Sequence, residues 1–232
     1  MASRGLSARA MLFIVLAFFA SGAFAAAGTV VHLSGSLSVQ RPDGTSTILA
    51  RNSPVNPGDV LTTQQDSYAQ INFTDGSSIT LRPNTIVRVE AYNFVKEQPQ
   101  QDNSLLRLIK GGMRTVTGLI GRRGDQDAYK IGTQQATIGI RGSSGDTLQC
   151  AEGCPGATPT SDKLPPGLYH ATHTGIYILQ NEGGSILVNP GQTGYVKDAQ
   201  TAPTLLSKDP GLGLGELPFA LPGAPQGECI VR

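Results

Sequence analysis

Three groups of residues in this chain have the types and spacing that chemistry needs. Cys150 and Cys154 are separated by three residues, and His170 and His173 follow with two between them. Two cysteines followed by two histidines is the donor order of a zinc site, where thiolates and imidazoles close a tetrahedron. Ser143 and Ser144 sit in Gly142-Ser-Ser-Gly-Asp146, where a hydroxyl would be exposed to act as a nucleophile. Gly139, Gly142 and Gly145 recur every third residue and would let backbone N–H groups approach a phosphate.

Each of these has a plainer reading. If Tyr169–Thr174 is a strand, His170 and His173 point to opposite faces, and their spacing is short for zinc. Cys150 and Cys154 are then a local disulfide closing a small loop, followed by a strand with two surface histidines. A serine nucleophile needs a base in reach and a third group to orient it. The histidines are His32, His170 and His173, and none lies in a recognisable motif. Ser143 and Ser144 read as a flexible polar turn. The glycines lack a following Lys-Ser or Lys-Thr and a helix start, so they make no P-loop. No catalytic residue, metal or cofactor is expected, and the chain reads as a non-enzyme.

Charge is more informative. Between Ser104 and Arg141 lie Arg107, Lys110, Arg114, Arg122, Arg123, Lys130 and Arg141, against Asp125 and Asp127. These are either solvated outward positions on strands or a docking face. The docking reading picks Arg107, Lys110, Arg114, Lys130 and Arg141, which alternate strands can bring to one ridge. Over the whole chain the balance is nearly neutral, at +1, so no nucleic-acid partner is expected.

The first 25 residues have the pattern of an export signal. Arg4 and Arg9 precede an apolar run from Ala10 to Ala20, and Ala23-Phe24-Ala25 is an A-x-A cleavage site. The run is short of the roughly 20 residues that span a bilayer, and no later segment reaches that length. Cleavage after Ala25 places the protein in the periplasm or outside the cell, with no transmembrane segment. An oxidising compartment agrees with the disulfide. Cys229 is left in the C-terminal tail, free or paired between chains.

The elements that must position these residues are strands. Tyr68–Phe73 alternates Ala69, Ile71 and Phe73 against Tyr68, Gln70 and Asn72. Asp43-Gly44 and Asp75-Gly76 are hairpin signals, because such turns need positive φ. Ser78–Arg82 and Val87–Ala91 alternate in the same way, and Thr29–Leu33, Ser36–Gln40, Thr45–Ala50, Gly175–Gln180, Ser185–Val188 and Thr193–Lys197 complete the set. Lys96–Asn103 is a polar loop. Leu105–Ile120 shows a trace of helical spacing, but its glycines and Thr115-Val-Thr117 favour two strands around a Gly111-Gly112 break. Tyr129–Gly142 reads as two short strands ending in an Arg-Gly corner. The core is expected to hold Ile71, Phe73, Ile79, Leu81, Val87, Val89, Ile138 and Ile140. From Ala199 onward, five prolines and five glycines in 34 residues make a poor ladder former. Its leucines suit a strap lying on the β body or on a partner.

Four motifs stand in order: Asp59-Val-Leu-Thr-Thr63, Asp75-Gly-Ser77, Lys110-Gly-Gly-Met-Arg114 and Ala136-Thr-Ile-Gly-Ile-Arg-Gly142. In this order they resemble the FecR domain, over about Asp59 to Val196. Asp59, Asp75, Gly76, Gly139, Arg141 and Gly142 are the residues that carry the likeness. The resemblance implies an all-β periplasmic domain that senses a partner protein, joined in its best-known members to a cytoplasmic sigma-binding domain. Nine residues precede the apolar run here, so a stand-alone exported version is expected. After Gly142 the family continues with Thr and an aromatic; this chain has Ser143-Ser144 and the cysteine loop instead.

The expectation is therefore an all-β chain of short strands in a β-roll, solenoid-like or sandwich FecR-type body. Its segments are a signal peptide at 1–25, a β domain at 26–197 and a Pro/Gly-rich tail at 198–232. The expected function is protein–protein interaction at the cell envelope, linked to signalling. The alternative is a structural or polyanion-binding role against peptidoglycan or lipopolysaccharide.

Overall fold

The structure, a computed structural model, describes residues 26–125, 127–152, 154, 164–208 and 210–212. The expected signal peptide, Cys229 and the leucines beyond Leu212 lie outside them. The described chain is built of strands. In order these are β1 (Gly28–Ser34), β2 (Leu37–Gln40), β3 (Ser46–Leu49), β4 (Pro54–Val55), β5 (Val60–Thr63), β6 (Tyr68–Phe73), β7 (Ser78–Leu81) and β8 (Ile86–Asn93). There follow β9 (Asn103–Val116), β10 (Tyr129–Gly132), β11 (Thr137–Cys150), β12 (Gly167–Asn181), β13 (Gly184–Val188), β14 (Thr193–Val196) and β15 (Thr204–Leu205). Pro99–Gln101 and Ile120–Arg122 form single 3₁₀ turns. None of the described helices is long and apolar enough to cross a membrane.

All strands belong to one hydrogen-bonded sheet, which folds into two layers. The first layer runs β3-β2-β5-β8, then the first half of β9, β10, the first half of β11, the second half of β12, and β13. The second runs β4-β1-β6-β7, then the second half of β9, the second half of β11, the first half of β12, β14 and β15. β9, β11 and β12 thus cross from one layer to the other. Pairing is antiparallel except for β9 with β10, which are parallel.

Each crossing strand bends at a glycine of positive φ: Gly111 at 83°, Gly142 at 58° and Gly175 at 69°. A side chain would strain that backbone, and at Gly111 and Gly175 space forbids it too. A β-carbon on Gly111 would lie 2.5 Å from Thr85 Oγ1, and one on Gly175 would lie 2.5 Å from Ser143 Cβ. Strands that turn a corner between packed sheets do so by such bends and bulges. Register shifts around Ser144 mark the bulge in β11.

Two expectations are corrected here. Leu105–Ile120 is not two strands but one bent strand through Val116, because Gly111-Gly112 bends the ladder without ending it. Gly142–Asp146 is not a free turn but the bulged middle of β11, since both neighbouring strands bend with it.

The layers close over one core. Ile71, Phe73, Ile79, Leu81, Val87, Val89, Ile138 and Ile140 are all in it, with Leu106, Leu108, Ile131, Tyr129 and Tyr177. Alternation places these side chains inward, as expected. A smaller cluster lies on the outer surface of the second layer, where Leu212 covers Cys150, Tyr169 and Ala171. Arg82 donates to the Leu212 carbonyl at 2.6 Å. Thr204–Leu205, Leu206 and Leu212 therefore lie on the β body, while most of the expected strap is outside the described residues. Gln70 and Thr80, which alternate with the core residues of their strands, are buried on this same side.

Candidate interaction face

The matched motifs divide into residues that build turns and residues that face outward. Asp59 is buried and accepts a hydrogen bond from Asn56 N at 2.7 Å, as well as an ion pair from Arg41. Burial pushes its pKa up, against the lowering effect of these partners. Asp75, also buried, accepts from Ser77 N at 3.0 Å, Ser77 Oγ at 2.6 Å, Tyr92 OH at 3.2 Å and Ile120 N at 3.3 Å. It ties the β6–β7 turn to the chain after β9. Both acids are structural clamps. In Ala136–Gly142, Ile138 and Ile140 enter the core, while Thr137, Gly139 and Arg141 face out.

The outer face of the first layer follows from register. Arg88 pairs with Arg107, Arg107 with Gly132, and Gly132 with Thr137. In the next row Leu105 pairs with Lys130, Lys130 with Gly139, Gly139 with Ile178, and Ile178 with Leu187. Arg141 pairs with Ile176 one row on, diagonal to Lys130 at about 7–8 Å. So Arg107, Lys130 and Arg141 share one face, as the sequence pattern suggested. Leu187 and Ile176 are exposed beside them.

The remaining cations are distributed differently from the expectation. Arg114 lies beyond the Gly111 bend, on the outer face of the second layer, where both its Nε and Nη2 donate to Asp146 at 2.8 Å. It is therefore no part of a common ridge with Arg107. Lys110 sits at the bend itself, opposite Ile86. Arg107 pairs with Glu90 and Arg123 with Asp102. The hydrogen bond from Arg107 lowers the Glu90 pKa. Among the described residues Lys110, Arg122, Lys130 and Arg141 make no ion pair. Arg122, close to Gly142, is a fourth free cation that sequence reasoning counted but did not select.

On the second layer, Asp146 joins two groups from different strands. His173 Nε2 lies 2.9 Å from its Oδ2, and Arg114 grips both oxygens. Burial works to raise the Asp146 pKa, but the hydrogen bonds from His173 and Arg114 outweigh it and hold the pKa low. The histidines do face opposite ways. His170, however, is not on the surface: it is fully buried between the layers, 2.9 Å from Thr147 Oγ1 through Nδ1 and tilted at 45° against the Tyr177 ring, with centroids 4.0 Å apart. The inner face of the second layer is enclosed by the first, which period two alone does not reveal. Cys150 and Cys154 form the expected disulfide, with Cα atoms 5.3 Å apart. Ser143 Oγ donates to the Ile176 carbonyl at 3.4 Å, and Ser144 Oγ meets Thr174 Oγ1 at 2.9 Å, so both hydroxyls are engaged by groups that cannot act as a general base.

Residues 59–153 carry a match to the FecR protein family. Two structures of an anti-sigma-factor candidate from Parabacteroides distasonis are similar in fold, each at 14% identity and TM-score 0.45. Each alignment covers 65% of this chain and 60% of that chain. A cell surface anchoring domain aligns at 28% identity and TM-score 0.27, over 28% of this chain and 84% of its own. A comparison with curated proteins finds no match.

Proposed function

We propose that this chain is a non-enzymatic binding protein of the cell envelope that docks an acidic protein partner on the outer face of its first layer. The carrying observation is the charge of that face. Its strands present Arg88, Arg107, Lys110, Lys130 and Arg141 against Glu90 alone. The FecR match supports a role in envelope signalling. The disulfide supports export to an oxidising compartment, the periplasm or beyond. The free cations would by themselves suit a wall polymer or lipopolysaccharide. Exposed Ile176 and Leu187 beside them favour a protein, because interface cores are apolar with polar rims.

The test is a pull-down from envelope extract with the chain and a Lys110→Glu/Lys130→Glu/Arg141→Glu variant. These three side chains have no ion pair to lose, so the variant should fold with an unchanged circular dichroism spectrum. Loss of the specific partner is expected, since several exposed charges must act together. Equal recovery of the same partner by both proteins sinks the reading. Salt separates the alternative: polyanion binding collapses as ionic strength screens the cations, while a contact with an apolar centre weakens only modestly.

A further inference from the structure

The two layers differ in how their outward side chains meet solvent. On the first layer, Arg88, Glu90, Thr137, Arg141 and Ile176 point outward and are exposed. On the second, one row runs across six strands through Gln70, Thr80, Arg114, Asp146, Ala171 and Thr193, each paired with the next. The row faces outward, since Ala171 belongs to the outer cluster and not to the core. Yet Gln70 is 1% exposed, Thr80 2%, Asp146 2% and Thr193 3%. A solvated sheet face carries exposed polar groups, so this one is covered. Gln70 Oε1 is buried with no hydrogen-bond partner among the described residues, and a cover has to satisfy it.

The last described residues show where the cover comes from. Leu206 N donates to the Thr193 carbonyl at 2.8 Å, on β14 beside the last strand of the layer. Leu206 and Leu212 pack on the cluster of Cys150, Tyr169 and Ala171, from β11 and β12. The Leu212 carbonyl then accepts from Arg82, which directly follows β7. Between residues 206 and 212 the chain has therefore crossed from β14 toward β7, and β6, β1 and β4 lie ahead. Gln70, on β6, is beyond the point that Leu212 reaches.

We propose that residues 213–217 continue this path over β7, β6 and β1 of the same molecule and complete the outer wall of the second layer. Strands lie about 4.8 Å apart, so β1 is about 10–15 Å ahead of Leu212, within reach of five extended residues. Those residues are Gly213, Leu214, Gly215, Glu216 and Leu217, and the first residue after Leu212 without an N–H is Pro218. In an extended chain Leu214 lies on the same side as Leu212, against the sheet, and the glycines let the backbone come close to it. Leu214 covers Gln70 and Thr80, and an N–H of the segment donates to Gln70 Oε1. The tether selects the occupant: with Leu212 already seated, the next residues are held beside this face at a high effective concentration. The tail is then a wall and not an arm that seeks a partner, and the outer face of the second layer is closed to docking.

Thiol reactivity tests this. Single cysteines are placed in a Cys229→Ser chain, where Cys150 and Cys154 are held in their disulfide. Thr80→Cys reports on the covered row, Thr137→Cys on the exposed first layer and Thr115→Cys on the core side of the sheet. In the full chain DTNB should react quickly with Thr137→Cys and about a hundredfold more slowly with Thr80→Cys, which must wait for the cover to open. Ending the chain at Leu212 should bring Thr80→Cys close to the rate of Thr137→Cys, while Thr115→Cys stays protected because the core is intact. Leu214→Asp in the full-length chain should speed Thr80→Cys about tenfold, and it decides the question if the shortened chain exposes Thr115→Cys by unfolding. The protection should not depend on protein concentration. Fast reaction of Thr80→Cys in the full chain, or protection that survives both changes, overturns the proposal. Protection lost on dilution means that a second copy supplies the cover, and overturns it too. Protection lost on shortening but kept in Leu214→Asp overturns the placement of Leu214.

Discussion

His170 makes stability fall in mild acid, and by an amount that can be worked out. Its imidazole is fully buried, and Nε2 has no hydrogen-bond partner. Burial pushes its pKa from 6.5 down to about 3, against a smaller raising effect from the Asp146 charge. The unfolded chain takes up a proton near pH 6.5, and the folded chain does not until about pH 3. Between these values the unfolded state binds more protons, so stability is complete above the window and drains away as pH falls through it. The limiting slope is about 1.4 kcal/mol per pH unit. From pH 7 to pH 5 the loss is about 2 kcal/mol, and by pH 4 about 3 kcal/mol. That is a large share of the roughly 5–15 kcal/mol that holds a domain together. The assay is urea unfolding at a series of pH values, for the wild type and for His170→Phe, which keeps the ring on Tyr177 but cannot titrate. Wild type should lose stability more steeply below pH 6.5 by the amounts given. Equal slopes in the two proteins, or an imidazole NMR titration of His170 above pH 5, would refute the reasoning.

Gly175→Ala should cost about 3 kcal/mol, since it forces a side chain into positive φ and against Ser143; a fall in Tm of roughly 10 °C by differential scanning calorimetry is expected. The Cys150–Cys154 bridge closes so short a loop that Cys150→Ala/Cys154→Ala should cost about 2 kcal/mol or less. Non-reducing peptide mass spectrometry should recover the linked pair, whereas free thiols with a stoichiometric zinc would return the metal reading.

The strands and their turns were legible because their rules are local. Asp43-Gly44 and Asp75-Gly76 place glycine where φ is positive, at 85° and 83°, and the hairpins form around them. Alternation from Tyr68 to Ala91 named inward side chains correctly, because a strand turns every second residue to the same face. The disulfide was legible too, from two nearby cysteines and the expected export. The bends were harder to read. Gly111, Gly142 and Gly175 looked like ends or corners, because a glycine that stops a strand and one that bends it have the same local preference.

The candidate face shows where local reading stops. Lys130 and Arg141 could be placed together from period two, since each lies in an unbroken stretch of its strand. Arg107 and Arg114 could not be told apart, although they stand on opposite sides of the Gly111 bend and so on different layers. His170 looked like a surface residue until the first layer was laid over it. By itself the sequence determined an all-β chain, its turns, its inward residues and its cysteine pair, all properties of neighbours along the backbone. Only the tertiary structure decided which layer each strand half joins and which cations meet Glu90, Asp102 or Asp146. Those depend on groups brought together from distant parts of the chain, and no spacing in sequence records that distance.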